Sequence, residues 1–181
     1  MGVVEQSGFS VQSIEGVDLI AALNYAYDKA KYHFETVRDE GLPDEHASNH
    51  AVYFLGWLIE RGMTSDFFNE ECHEPVEKWR SGEGRLHDVY EWLDACLVSD
   101  MLTDEGNAFA MAYFDFEKGA YLKDYEETLL GDHESNWHIP FTDENYRKMK
   151  AVIDRRYEEW KNRPPKAERL ENPAKPWWKF W

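Results

Sequence analysis

His46 and His50 stand four residues apart in the stretch "DEHASNHAVYF". On a helix that spacing projects both imidazoles from one side, an arrangement in which histidine pairs often hold zinc. The metalloprotease version needs a glutamate directly after the first histidine. Ala47 occupies that slot, so metalloprotease chemistry has no support. His50 also borders the apolar stripe near Trp57, where a packed or hydrogen-bonded histidine is expected. Structural packing is the preferred reading of the pair, and neither a metal nor a cofactor is expected. Cys72-His73 offers two further donors, but adjacent residues rarely ligate one ion together. His87, His133 and His138 show no ligand spacing.

The 36 carboxylates are too many for a catalytic pair to be chosen by spacing. Two dense clusters stand out: Glu70, Glu71, Glu74 and Glu77, and Asp124, Glu126, Glu127, Asp132 and Glu134. Each reads either as a solvated helix face or as a landing surface for lysines and arginines of a basic partner. The chain carries no phosphate-binding glycine loop, no G-x-S-x-G elbow, no C-x-x-C pair and no kinase signature. Eight tryptophans and ten tyrosines, by contrast, suit a large core or an interface. Trp79, Trp92 and Trp137 fall outside or near the ends of the apolar stripes, so some exposure is expected among them.

These residues must be positioned mainly by helices. Leu19, Leu23, Tyr27, Ala30, Phe34 and Val37 recur at helical spacing after Asp18, and Gly41 with Pro43 ends the run. A second helix is predicted from about Asp44 to Arg61, with Gly62 just past its end. "TSDFFNEE" reads as a short capped turn or helix. Beyond the Ser81–Gly84 break, a third helix carries Leu86, Val89, Tyr90, Leu93 and Leu97. Thr103 and Asp104 open a further segment whose stretch Phe109–Phe116 is apolar all round, as in a central helix. Helix is preferred there over strand because β-branched residues are absent. A last helix starts at Thr142, presents Tyr146, Met149, Ile153, Tyr157 and Trp160, and stops at Pro164-Pro165.

The expected architecture is one mainly α-helical domain, residues 1–165, a bundle of about five helices. An extended Pro- and Trp-rich tail, residues 166–181, follows it. That tail ends "AKPWWKFW" and is expected to lie in a groove of the bundle, with a partner contact or a membrane interface as alternatives. The formal net charge of −16 opposes binding to nucleic acid or anionic lipid. Residues 1–145 hold 9 basic and 31 acidic side chains, whereas 146–181 hold 11 and 5. The acidic excess therefore belongs to the body. Two cysteines do not make a disulfide scaffold, no secretory signal opens the chain, and no apolar run is long enough to span a membrane, so a cytoplasmic protein is expected.

The stretches "YDKAKYHFE" (Tyr27–Glu35) and "HAVYFLGWLIERGM" (His50–Met63) resemble an uncharacterised family of small acidic bacterial proteins. Lys31, His33, His50 and Trp57 are the matching positions, and the resemblance brings no catalytic residues. Such proteins are similar in type to immunity proteins of polymorphic-toxin systems. That similarity implies a non-enzymatic binding protein, neutralising a cognate, basic toxin through the two acidic clusters. The alternative is a metal-binding protein or metal-dependent hydrolase using His46 and His50 with His33 or His73. A plain structural or oligomerising helical module is the third reading.

Overall fold

The computed structural model of the chain describes residues 25–116 and 119–163. Among them lie two short strands, β1 (Ala26–Lys29) and β2 (Cys96–Val98). Eight α-helices accompany them: α1 (Phe34–Asp39), α2 (Asn49–Glu60), α3 (Asp66–Glu71), α4 (His73–Ser81), α5 (Leu86–Trp92), α6 (Asp104–Tyr113), α7 (Tyr121–Leu129) and α8 (Asp143–Lys161). Turns of 3-10 helix occupy Ala30–Tyr32, Asp44–Ala47, Ser99–Met101 and Asn136–His138. The mainly helical expectation holds, but the helices number eight where about five were expected. The predicted starts at Asp18 and "FSVQSI", the stop at Pro164-Pro165 and the tail from 166 to 181 lie outside the described residues.

The extra helices come from breaks that periodicity does not register. Tyr27, Ala30, Phe34 and Val37 keep helical spacing, yet the backbone from Ala26 to Lys29 pairs antiparallel with Val98 to Cys96. Strand, 3-10 turn and α1 replace the predicted single helix, because distant backbone partners outweigh local preference. Leu97, assigned by pattern to the third helix, belongs to β2. Asp94 and Ala95 adopt φ of 57° and 48°, a left-handed conformation that a right-handed helix cannot continue through. The predicted helix from Asp44 to Arg61 divides at Ser48 into a 3-10 turn and α2. The long apolar segment after Thr103 likewise divides, into α6 and α7.

Helix α2 is the centre of the molecule. Every residue from Asn49 to Ile59 is buried, and α5 and α8 pack on it. The sequence assigned that role to Phe109–Phe116, but α6 keeps an exposed flank at Ala112. Around α2 the Phe54 ring lies 4.6 Å from Phe114, 5.5 Å from Tyr121 and 6.0 Å from Trp57 and from Phe109, centroid to centroid. The Trp57 indole N–H donates to Asp154 of α8 at 2.7 Å, so the buried aromatic keeps its one polar atom satisfied.

Helix ends follow residue chemistry closely. Past α2, Gly62 takes φ +65°. Its N–H donates to Ile59, and that of Met63 donates to Leu58, the paired bonds of a Schellman cap. Ser65, Thr103 and Thr142 hydroxyls accept from Phe68, Gly106 and Asn145, opening α3, α6 and α8. Of the three tryptophans expected near the surface, Trp92 is exposed and Trp79 and Trp137 are half-buried. Both cysteines are free thiols. Among the described residues no helix is long and apolar enough to cross a membrane.

Candidate metal-binding site

The site begins at an irregularity in β1. The pairing with β2 shifts register between Ala26 and Asp28. A regular strand would send Tyr27 and Asp28 to opposite faces, but across the bulge both are buried. Tyr27 turns its hydroxyl to Asn107 of α6 at 2.8 Å. Asp28 points a carboxylate with no exposed side-chain surface into the protein. A buried charge of this kind persists only when it is fully partnered.

Asp28 has three partners. Its Oδ1 accepts from His33 Nε2 at 2.9 Å and from His50 Nε2 at 3.3 Å, and its Oδ2 accepts from the Tyr90 hydroxyl at 2.5 Å. His33 follows the 3-10 turn Ala30–Tyr32 as the residue before α1, His50 lies in the first turn of α2, and Tyr90 comes from α5. Burial by itself would raise the Asp28 carboxyl. The charge of His50 and the hydrogen bonds from His33, His50 and Tyr90 outweigh that and hold it well below the usual carboxylate range. Burial, and then the Asp28 charge, push the Tyr90 hydroxyl far upward, so it stays a donor. The two imidazoles meet edge to face, centroids 5.2 Å apart. Tyr121 fixes the start of α2 by donating to the His50 carbonyl at 2.6 Å.

One donor atom each from Asp28, His33 and His50 falls within 4.8 Å of the other two. Two chemistries share these atoms. The imidazoles can donate Nε2–H to the carboxylate, or, with each ring proton on Nδ1, both Nε2 atoms and Oδ1 can serve as ligands to an ion. Around a tetrahedral zinc with bonds of ~2.0–2.1 Å, neighbouring ligand atoms lie about 3.3 Å apart, close to the two nitrogen–oxygen spacings of 2.9 and 3.3 Å. Tyr90 would then be the outer partner that orients a ligating carboxylate.

His33 and His50 form one wall of a cavity of about 150 Å³ that is also bounded by His46, Trp137, Phe116 and Tyr125. The Trp137 ring lies 5.0 Å from His33 and 5.6 Å from His50, and Phe116 lies 5.7 Å from His50. His46 donates Nδ1–H to the Trp137 carbonyl at 2.6 Å, which leaves Nε2 as its acceptor nitrogen. A second cavity, about 310 Å³, is lined by Asp28 and shares His33 and Phe116 with the first.

The sequence-predicted residues scatter. His46 and His50 do reach one cavity, but the break at Ser48 denies them a common helix face, and His46 stands outside the three-residue cluster. His73 is exposed on α4, beside a different cavity with Asn69 and Glu77. Of the proposed partner-binding carboxylates, Glu70, Glu71, Glu74, Glu77, Glu126, Glu127, Asp132 and Glu134 are exposed. Glu74 and Glu77 are already paired with Lys78 and Arg80. Asp124 corrects the expectation: it is buried and grips Arg156 with two bonds of 2.7 Å, so it offers no docking surface. The residue that pattern reading missed is Asp28. Its five-residue separation from His33 matches no helical or strand repeat, and only the bulge turns it inward.

Residues 26–139 match the family model of a domain of unknown function, DUF7832. The chain belongs to this family. The DUF7832 match starts at the first residue of β1 and ends at Ile139, so it takes in Asp28, His33, His46, His50, Tyr90 and the cavity-lining aromatics Phe116, Tyr125 and Trp137, whereas α8 lies beyond it. No curated protein and no solved structure matches the chain.

Proposed function

We propose that the protein binds a divalent transition-metal ion, zinc as the first choice, through Asp28 Oδ1, His33 and His50, with the adjoining aromatic cavity giving small molecules access to the ion. The observation that carries this reading is the convergence of two imidazole nitrogens on one oxygen of a fully buried carboxylate, beside a cavity. Two nitrogens and one oxygen suit zinc or iron(II), whereas calcium and magnesium favour oxygen alone. Three protein ligands leave coordination positions open, the condition under which zinc polarises a bound water or carbonyl.

The purified full chain, stripped with chelator and returned to zinc, is expected to hold about one ion per chain and to melt at a higher temperature than the stripped form. Asp28→Asn and His50→Ala should each weaken zinc binding at least ~10-fold. His46→Ala should leave zinc bound, because His46 lies outside the cluster. Loss of all zinc on gel filtration, with no shift in melting, would overturn the reading.

Toxin neutralisation through the acidic faces is a second proposal. It is supported by the exposure of the Glu70–Glu77 cluster, where solvated carboxylates are also the ordinary state of a helix surface. Salt-sensitive capture of one basic protein, lost when Glu70 and Glu71 are replaced by lysine, would favour it.

A further inference from the structure

We infer that the cavity beside the cluster is a binding site for a single-ring aromatic molecule bearing one hydrogen-bonding substituent, of which a phenol is the simplest. The inference names the ligand class for the metal reading above, but the cavity stands as an observation without the ion.

Size sets the first limit. A cavity of about 150 Å³ matches what is known to accommodate one benzene ring when its walls are apolar.

The walls set the second. Phe116, Leu122, Tyr125 and Trp137 supply apolar surface, and the Trp137 and Phe116 rings already pack against the imidazoles at 5.0–5.7 Å. Aromatic faces and edges favour another ring over an aliphatic body of equal volume through offset and edge-to-face contacts. Trp137 is held in place by the 3-10 turn Asn136–His138, whose Ser135 hydroxyl accepts from the Trp137 N–H at 3.2 Å.

One polar group calls for the substituent. His46 commits Nδ1 to the Trp137 carbonyl, so Nε2 is left to accept from a ligand hydroxyl. One phenolic hydroxyl can donate to His46, whereas benzene cannot.

Phenol, benzene and cyclohexanol are the probes, titrated by NMR into the zinc-loaded and the zinc-stripped full chain. Phenol is expected to bind with Kd on the order of 1 mM or tighter, within reach of so small a ligand. It should bind at least ~5-fold more tightly than either analogue, the size expected for one hydrogen bond or one aromatic contact. His46→Ala should reduce phenol affinity ~3-fold or more relative to benzene. Leu122→Trp should fill the space and abolish phenol binding while zinc content and the circular dichroism melt stay as in the parent. Absence of phenol binding up to 10-fold above that Kd, equal binding of cyclohexanol, or unchanged phenol binding in folded Leu122→Trp would each overturn the site. Binding of phenol to the stripped chain with zinc never retained would sink the metal reading and keep this one.

Discussion

Asp124 and Asp28 show how differently two buried carboxylates can be used in one protein. Asp124 is held by the Arg156 guanidinium through both oxygens and by the Tyr113 hydroxyl at 2.9 Å, a closed structural pair between α7, α8 and α6. Burial raises its carboxyl, but the bonds from Arg156 and Tyr113 outweigh this and leave it below its ordinary value of 3.8. Asp124→Asn is expected to cost about 1–3 kcal/mol at pH 7, because the arginine loses two of its charge-assisted bonds and keeps only the one to Glu159. A folded-state value below the unfolded one means the unfolded chain takes up the proton more readily. The stabilisation is therefore complete above about pH 4 and fades as pH falls through the folded value. Denaturant melts of parent and variant should accordingly converge on acidification, and a difference that grew in acid would contradict this pairing. Asp28 differs because its partners are imidazoles, which can exchange protons for an ion. The sequence displayed Asp124 within an acidic run and suggested a surface. Nothing local in "KDYEETLLGDHE" marks which carboxylate a distant arginine will claim.

At the scale of elements, the chain's punctuation proved more legible than its runs. The caps at Ser65, Thr103 and Thr142 and the Schellman turn at Gly62 were readable because each acts within a few residues. The breaks at Ser48 and between α6 and α7 were not, since helical spacing continues across them. Gly106 in the first turn of α6 exemplifies a requirement that only packing imposes. A Cβ there would stand 2.6 Å from the Met63 carbonyl oxygen, where the chain after α2 crosses the start of α6. Thr103 N–H donates to that same oxygen at 2.9 Å, so the carbonyl cannot retreat without losing a bond. Gly106→Ala is expected to destabilise the protein by about 1–3 kcal/mol despite alanine's better helix propensity, as measured by thermal melting. A stabilised variant would show that the crossing is looser than described.

For the whole molecule, charge and core belong to different levels of determination. A net charge of −16 makes self-repulsion a property of composition. Raising salt from about 0.01 M to 1 M, which shortens screening from ~30 Å to ~3 Å, is expected to raise the melting temperature by several degrees. A fall would mean that the surface ion pairs outweigh the excess of like charge. Amino-acid sequence by itself determined the helical class, the capped helix ends at Gly62, Thr103 and Thr142, the acidic surface and the aromatic-rich interior, because propensity, capping and composition act over a turn or less or over the chain as a sum. Tertiary structure alone decided that β1 would leave the helical pattern to pair with β2 and that a bulge would bury Asp28. It also decided that Asp28 of β1, His33 just before α1, His50 of α2 and Tyr90 of α5 would meet. Such a meeting depends on which distant backbone completes a strand's hydrogen bonds and which side chains can satisfy a charge removed from water, and neither is written at any fixed spacing along the chain.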